Sequence, residues 1–218
     1  MKAIFLDTDR RRFEKKIMIK SENIGLRPIE ESDLDLLCEL ANDPYVSTMV
    51  VGWGFPISKV QQVQWIKNQH VNEKTARLVV VNLENNEAIG VSGLWDIDWQ
   101  NRSALSATKL LPSKAKKGFG TESIMLTMAW AFYSLGLRRL YGAILDFNAP
   151  SMAVYMKKCG WRIEGCQKEA VFRKGRWCDL YSLAILKSEF DLLPNIDTYI
   201  ESIHPANVSN LIDISLFD

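Results

Sequence analysis

The chain is poor in the residues that build metal sites. It has two histidines, His70 and His204, and four cysteines, Cys38, Cys159, Cys166 and Cys178, none in a CxxC pair. That is too few ligands at the wrong spacing for a Cys/His metal centre, so no metal is expected and the thiols should be reduced and packed as small hydrophobes. A Cys/His nucleophilic pair would need a histidine beside a cysteine, and nothing in the order of the chain brings them together. Charge of one sign is also lacking. The balance of 27 Lys+Arg against 26 Asp+Glu leaves +1, which provides no global field for nucleic acid or an anionic membrane. Long apolar runs are missing as well: the longest uncharged stretch, residues 123–137, falls short of the ~20 residues that a membrane span needs. The start offers only Ala3, Ile4, Phe5 and Leu6 before charges take over, unlike a secretory leader. No repeat or low-complexity segment occurs. The expectation is a cytoplasmic protein with neither nucleic acid nor membrane as a partner.

What is present is an ordinary globular composition. With 47% hydrophobic and 24% charged residues in 218, the chain can bury a substantial core in one domain with an appendage. A short strand at residues 24–27 precedes a helix that begins near Ser32 and Asp35, carries Leu34, Leu37, Cys38 and Ala41 on one side, and ends at residues 42–44. After the turn-rich residues 52–56, Ser58 caps a second helix with Val63, Ile66 and His70 at helical spacing. The β-branched run at 78–81, a turn at 84–87 and a strand at 88–95 make a hairpin, and the turn at 99–102 leads into a third strand over 103–111. The period then changes to helical through Ile124, Met128, Ala131, Phe132 and Leu135, with Gly136 as the stop. A strand at 140–145, a short helix at 150–158 and two strands near 169–172 and 178–186 follow. Leu193, Ile196, Ile200 and Ile203 form a last helical stripe that must be buried against this domain or a second subunit, so a homodimer is among the expected partners.

Two features carry chemistry. Lys116, Lys117, Gly118, Phe119, Gly120, Thr121 and Glu122 lie between a strand end and a helix start. There the backbone N–H groups have no helical partners, and glycine lets a phosphate approach them. Lys109 and Lys114 crowd the same stretch and add positive potential. The loop is neither GxxxxGK[ST] nor GxGxxG, which argues against an ATP or dinucleotide site. One strand later, Asn148, Ser151 and Tyr155 are spaced to share a face at the start of a helix, where a phenol could donate a proton. Tyr155 could equally be a core residue with its hydroxyl at the rim.

With KKGFGTE opening the central helix and NAPSMAVYMKKCGW following the next strand, the chain resembles the GNAT N-acetyltransferases over roughly residues 24–190. IGLRPIEESDLD and FRKGRWCDLYSLAIL make it similar to the branch that holds ribosomal-protein N-terminal, spermidine and some amino-sugar acetyltransferases. The resemblance implies an α+β (mixed α/β) fold: a mostly antiparallel mixed sheet flanked by helices. A domain over residues 1–190, peripheral at its start, would be followed by a helical extension over 191–218. It implies acetyl-CoA as cosubstrate and a primary amine, on a small molecule or a protein N-terminus, as acceptor. The amides of residues 116–121 would hold the diphosphate, and Leu110 and Leu111 would pair with pantetheine. Asn148, with Ser151 beside it, would bind the CoA arm, and Tyr155 would protonate the departing thiolate.

The chain departs from the family pattern in three places. Ala115 stands where the phosphate loop usually has Arg or Gln. One extra residue precedes Gly160. The strand before the loop, residues 103–108, lacks the glutamate that many relatives use as a base, which leaves Asp96 or Asp98 as the nearest acidic candidates. Trp53, Phe55, Phe172 and Trp177 are expected to wall the acceptor pocket. The competing reading is a non-catalytic acyl-CoA-binding module.

Overall fold

The computed structural model describes residues 17–52, 55–68 and 74–203. The β-branched run at 78–81 lies inside one eight-stranded sheet. Its strands are β1 (Ile19–Lys20), β2 (Ile24–Pro28), β3 (Ala76–Asn82), β4 (Glu87–Asp98), β5 (Ser103–Leu110), β6 (Arg139–Leu145), β7 (Arg162–Arg173) and β8 (Arg176–Leu186), in the spatial order β1-β2-β3-β4-β5-β6-β8-β7. Every neighbouring pair is antiparallel except β5 with β6. The helices are α1 (Leu34–Asn42), α2 (Pro44–Met49), α3 (Lys59–Lys67), α4 (Phe119–Ala129), α5 (Ala149–Ala153), α6 (Lys187–Phe190) and α7 (Ile196–Glu201). This is the mixed α/β architecture that the order of elements predicts.

Because side chains alternate along a strand, β3 feeds two cores. Val79 and Val81 face α1 and α3, where Leu36, Leu37, Leu40 and Ile66 pack with Val91 and Leu111. Leu78 and Val80 face the other way, with Ile24, Leu26, Ile89, Phe119 and Leu126. That second face continues into a cluster of Leu94, Ala104, Met128, Phe132, Leu140, Trp161 and Phe190, against which Leu193, Ile196, Tyr199 and Ile203 pack. Helix α4 is buried from Ser123 to Ala129, as a helix apolar on every side must be. Its hydroxyls find partners inside. Thr127 Oγ1 donates to the Ser123 carbonyl at 2.8 Å and lies 2.7 Å from Ser92 Oγ, which is 2.6 Å from Thr108 Oγ1.

Several local expectations are corrected. The break at residues 42–44 does not lead into a loop: Asp43 accepts the Val46 N–H at 2.7 Å and caps α2, with Pro44 in its first turn, a position where a missing N–H costs nothing. The N-terminus of α1 is set by a 3₁₀ turn over Glu31–Asp33, with Asp33 accepting the Glu30 N–H, rather than by Ser32. Ser58 does cap α3, through a capping box with Gln61, while His70 lies outside the described residues. Strand β7 begins seven residues before the expected start at 169. The extra residue before Gly160 is absorbed by a π turn over Val154–Lys158, in which the Cys159 N–H reaches back to Val154. Such bulges take up single insertions without ending the helix. Gly160 then has φ +74, and a Cβ there would lie 2.6 Å from a Leu193 methyl, so this glycine lets the C-terminal segment dock.

Arg27 and Asp33 form a bidentate pair at 2.7 Å for each bond, with both side chains under 5% exposed. Deleting one partner leaves a buried charge alone, so Asp33→Ala should lower stability by about 3–5 kcal/mol, read as a lower urea midpoint. Replacing both residues with apolar ones of similar volume should recover most of the loss.

Candidate functional site

The site begins where two parallel strands part. β5 and β6 pair only at Ser103↔Arg139, Ala104↔Leu140 and Leu105↔Tyr141. Beyond that point β5 stays with β4 as far as Leu110↔Gly90, and β6 stays with β8 as far as Leu145↔Leu180. The gap is a cleft of about 450 Å³ whose walls include Ser106, Thr108, Gly142, Ile144, Asn148, Ser151 and Tyr155, with residues 49–52 at its rim. The Leu111 N–H donates to the Ile89 carbonyl at 2.9 Å. Antiparallel alternation therefore turns the backbone groups of residues 106, 108 and 110 away from β4 and toward the cleft. Leu110 belongs to that alternate set. Leu111 does not: its carbonyl accepts from Lys114 and Ala115, and its side chain is fully buried.

At the far end of β5 lies the glycine loop. Gly118 has φ +99, and a Cβ added there or at Gly120 would meet nothing within 4 Å, so the turn is open to a ligand. Among the described residues the amides of Lys117, Gly118, Gly120 and Thr121 make no backbone hydrogen bond outside the helix. They sit at the N-terminus of α4, where the helix dipole favours an anion. Phe119 is buried in the core and pins the loop from below. Glu122 fixes it sideways, accepting from Ser21 Oγ at 2.6 Å and Asn23 Nδ2 at 2.8 Å. Lys116 pairs with Glu84, and Lys114 lies 3.3 Å from Glu87. Lys117 has no carboxylate partner among the described residues.

Asn148 caps α5, accepting the Ser151 N–H at 3.3 Å, and donates through Nδ2 to the Met49 carbonyl at 3.3 Å. It thereby ties the cleft's rim to its wall. The Tyr155 ring is buried and meets Trp161 edge-on at 4.9 Å between centroids. Burial, with Cys159 nearby, pushes its phenol well above the ordinary value, while hydrogen bonding to the Thr108 amide and hydroxyl opposes the shift. The phenol thus keeps its proton across the physiological range and points toward the gap between β5 and β6.

The two aspartate candidates are separated. Asp98 is taken up by its turn, accepting the Asn101 N–H at 2.8 Å and Asn101 Nδ2 at 2.7 Å, which holds its carboxyl below the usual range. Asp96 lines the cleft, in a bulge where β4 has one residue more than β5 between Trp95 and Asp98, with φ +49. A left-handed aspartate beside a cleft is strained backbone at a place that bulges commonly occupy.

Of the aromatic residues expected to wall the acceptor pocket, those among the described residues are exposed. Phe55 is 88% exposed. Phe172 and Trp177 meet edge-on, with ring centroids 5.3 Å apart, near the β7–β8 turn, and neither lines the cleft or the cavity under α1 and α3. Trp53 lies outside the described residues. A second cavity, about 290 Å³, opens instead between α1, α3 and the sheet, walled by Leu37, Leu40, Trp65, Val91 and Trp95, with Arg77 and Lys109 on its floor. Trp95 and Lys109 also line the first cleft, so the two spaces share a wall. Lys109 therefore does not add to the phosphate loop. Its Nζ lies 4.4 Å from the centre of the Trp95 ring, and Arg77 stacks on Trp65 at 4.7 Å and Trp95 at 5.1 Å. Among the described residues no group of His, Cys, Asp and Glu could hold a metal, and no helix is long and apolar enough to cross a membrane.

Burial first, and then Arg77, lowers the Lys109 pKa from 10.5 to about 8. With the folded value below the unfolded one, the cost of protonating Lys109 in the fold is absent above about 10.5, grows as pH falls toward about 8 and is constant below that. Lys109→Met should therefore stabilise the protein by about 1–2 kcal/mol at pH 7, and by less at pH 10, as urea midpoints at the two pH values will show.

Comparison with known proteins supplies the context for this arrangement. Residues 23–162 match the family model described as an acetyltransferase (GNAT) domain. The chain is 28% identical over 172 residues to the uncharacterized N-acetyltransferase p20 of Bacillus licheniformis, spanning 78% of this chain and 96% of that protein. It is 26% identical over 170 residues to the spermidine N(1)-acetyltransferase of Vibrio cholerae, with the same two coverages. The crystal structure of a Vibrio cholerae spermidine N-acetyltransferase in complex with CoA and spermine is similar with a TM-score of 0.70 at 25% identity, over 77% of this chain and 98% of that one. With the family model matched over most of the described fold, the chain belongs to the GNAT acetyltransferase family and is an N-acetyltransferase whose cosubstrate is acetyl-CoA.

Proposed function

We propose that the cleft between β5 and β6 takes the acetyl-pantetheine arm of acetyl-CoA and that a small-molecule primary amine reaches the thioester from the cavity under α1 and α3. The observation that carries this reading is the parting of two parallel strands with a buried, proton-bearing Tyr155 in the gap and an open amide loop at its end. In it, the diphosphate sits on the amides of residues 117–121, with Lys117 supplying charge where Ala115 cannot. The cofactor's own amides pair with the backbone near Leu110, and Asn148 and Ser151 line the arm.

An alkylammonium of pKa ~10.4 must lose a proton before it can attack. Asp96 is the carboxylate among the described residues that line the cleft, and in this reading it accepts that proton directly or through water. The amine nitrogen bonds to the thioester carbonyl carbon, whose oxygen takes negative charge and is met by a cleft-facing amide of β5. The attached nitrogen gives up its second proton to water in the cleft, the C–S bond breaks, and the thiolate takes the proton of Tyr155, which recovers one from solvent. Burial of the phenol does not oppose this step, because the thiolate forms in the same low-dielectric space and is made more basic by it.

A cavity of about 290 Å³ lined by two helices and the sheet has the size of a small-molecule site, which favours that class of acceptor over a protein N-terminus. For self-association, β7 lies at one end of the sheet with most of its residues exposed, and a Vibrio cholerae relative has been solved as a dodecamer.

Thiol release from acetyl-CoA across a panel of primary amines tests the reading, and CoA binding without release for any amine would favour the non-catalytic alternative. Tyr155→Phe should lower kcat ~10²-fold or more, with CoA affinity near that of the parent. Equal turnover would remove Tyr155 from the acid role. Gly118→Val places a β-branched residue at φ +99 and should weaken CoA binding ~tenfold or more, about 1.4 kcal/mol, in calorimetry of a protein whose melting remains cooperative.

A further inference from the structure

Resting on the reading just given, in which the diphosphate of CoA lies on the amides of residues 117–121, we propose that Glu122 is a positioning residue for the cosubstrate. Held by the turn between β1 and β2, it sets the direction in which the first turn of α4 presents those amides. The carboxylate has three donors, all from that turn. Oε2 accepts from Ser21 Oγ at 2.6 Å and from the Asn23 N–H at 3.2 Å, and Oε1 accepts from Asn23 Nδ2 at 2.8 Å. The turn is itself anchored, with the Ser21 N–H donating to the Ile24 carbonyl at 2.8 Å and the Leu83 N–H to the Asn23 carbonyl at 2.9 Å. At the other end of the same residue, the Glu122 N–H donates to the Gly118 carbonyl at 3.0 Å. One residue therefore joins the β1–β2 turn to the glycine turn.

By charge alone a carboxylate is the wrong group here. Glu122 follows Thr121 directly, so it opposes an anion arriving at the cradle. It gains from the helix dipole, but among the described residues it belongs to no ion pair, and its three donors are neutral. What it supplies is a fixed point. Hydrogen bonds to an ionised acceptor are roughly twice as strong as neutral ones, and this carboxylate is half-buried. At the front of the loop the Lys116–Glu84 pair has side chains 59% and 69% exposed, where an ion pair contributes little. The outer side is open, since a Cβ at Gly118 or Gly120 would meet nothing within 4 Å. Phe119 in the core and Glu122 on the flank are thus the two contacts that hold the turn. A cradle of backbone amides has no side chain that can adjust to its ligand. Its affinity depends on the amides being set beforehand, because a loose turn has to be ordered at the moment of binding.

Calorimetry of the full chain with CoA, and with pantetheine, which lacks the diphosphate, tests the role without requiring turnover. Glu122→Met keeps side-chain length and helix propensity and removes both the acceptor and the charge. Loss of the charge alone would tighten CoA binding, whereas loss of the hold should weaken it about tenfold, equivalent to about 1.4 kcal/mol. Ser21→Ala combined with Asn23→Ala leaves Glu122 and its charge in place and should weaken CoA binding to a similar extent. In that background Glu122→Met should cause no further loss. Glu122→Gln retains an acceptor and should recover part of the affinity lost in Glu122→Met. Pantetheine affinity should stay at the parent value throughout, and with an acetylated amine the variants should raise KM for acetyl-CoA while kcat stays near the parent. Tighter or unchanged CoA binding in Glu122→Met, or an equal loss for pantetheine, would overturn the role. Ser21 and Asn23 lie in a surface turn, so their variants decide the matter if Glu122→Met does not melt cooperatively. CoA affinity untouched by Gly118→Val would overturn the loop reading and this role with it. Affinity lost in Gly118→Val but kept in the Glu122 and turn variants would overturn this role alone.

Discussion

The parting of β5 from β6 is the constraint on which the rest of the molecule depends. A parallel pair inside a sheet normally continues for the length of the shorter strand, because each unpaired N–H and carbonyl loses a hydrogen bond. Here the ladder stops at Leu105↔Tyr141 although β5 runs five residues further. Each strand keeps its other neighbour, so half of the backbone bonds survive, and what remains is a row of polar groups along the inner edge of β5 with Tyr155 and Trp161 wedged into the opening. A gap of that kind accepts an extended arm bearing its own amides, in the way a sheet edge accepts a strand. The pantetheine portion of CoA is such an arm. The same divergence brings the end of β5 to the loop before α4, so that amide row and anion-binding turn are continuous.

The hydroxyl chain beneath the gap explains why the cleft can be both polar and rigid. Ser92, Thr108 and Thr127 are buried or half-buried, and each is within 2.7 Å of a neighbour in the chain. Partly satisfied networks in low dielectric are costly, and satisfied ones fix geometry. This one links the central helix to β4 and β5, and Tyr155 reaches its end at Thr108. The phenol is therefore held by the scaffold itself. The other cavity opens on the face covered by α1 and α3, so on the proposed reading the two substrates approach from different sides and meet at the shared wall made by Trp95 and Lys109.

Much of this was legible in the order of residues, because the signals are local. Glycines at 118 and 120 before a helical period, Asn148 three residues before Ser151, and the β-branched run at 78–81 with the turn at 84–87 each depend on a few neighbouring positions. What was not legible depends on contacts distant in sequence. The first half of β7 has no apolar alternation because an end strand exposed on both faces has no core to match. α2 hides behind Asp43 and Pro44, which read as a stop and also form a start. Lys109, four residues beyond the last position of β5 that pairs with β6, looks like part of the basic loop; only the pleat, which turns alternate residues to opposite faces, sends it under α1. The convergence of Trp65 and Trp95 on one cavity was not legible for the same reason, since it arises through tertiary packing.

The missing glutamate on β5 and the basic floor beneath it belong to one electrostatic arrangement. A carboxylate beside the incoming amine would accept its proton, and it would also hold the ammonium in its charged form by attraction, so its benefit as a base is partly offset. Arg77 and Lys109 act in the opposite sense: positive charge in a partly desolvated pocket disfavours the ammonium and shifts the incoming group toward the neutral amine that attacks. Asp96 at the cleft remains available to take the proton. On the proposed reading, the strand without its acid is therefore compatible with catalysis, because the pocket lowers the amine's basicity at the place where a relative would supply a stronger base.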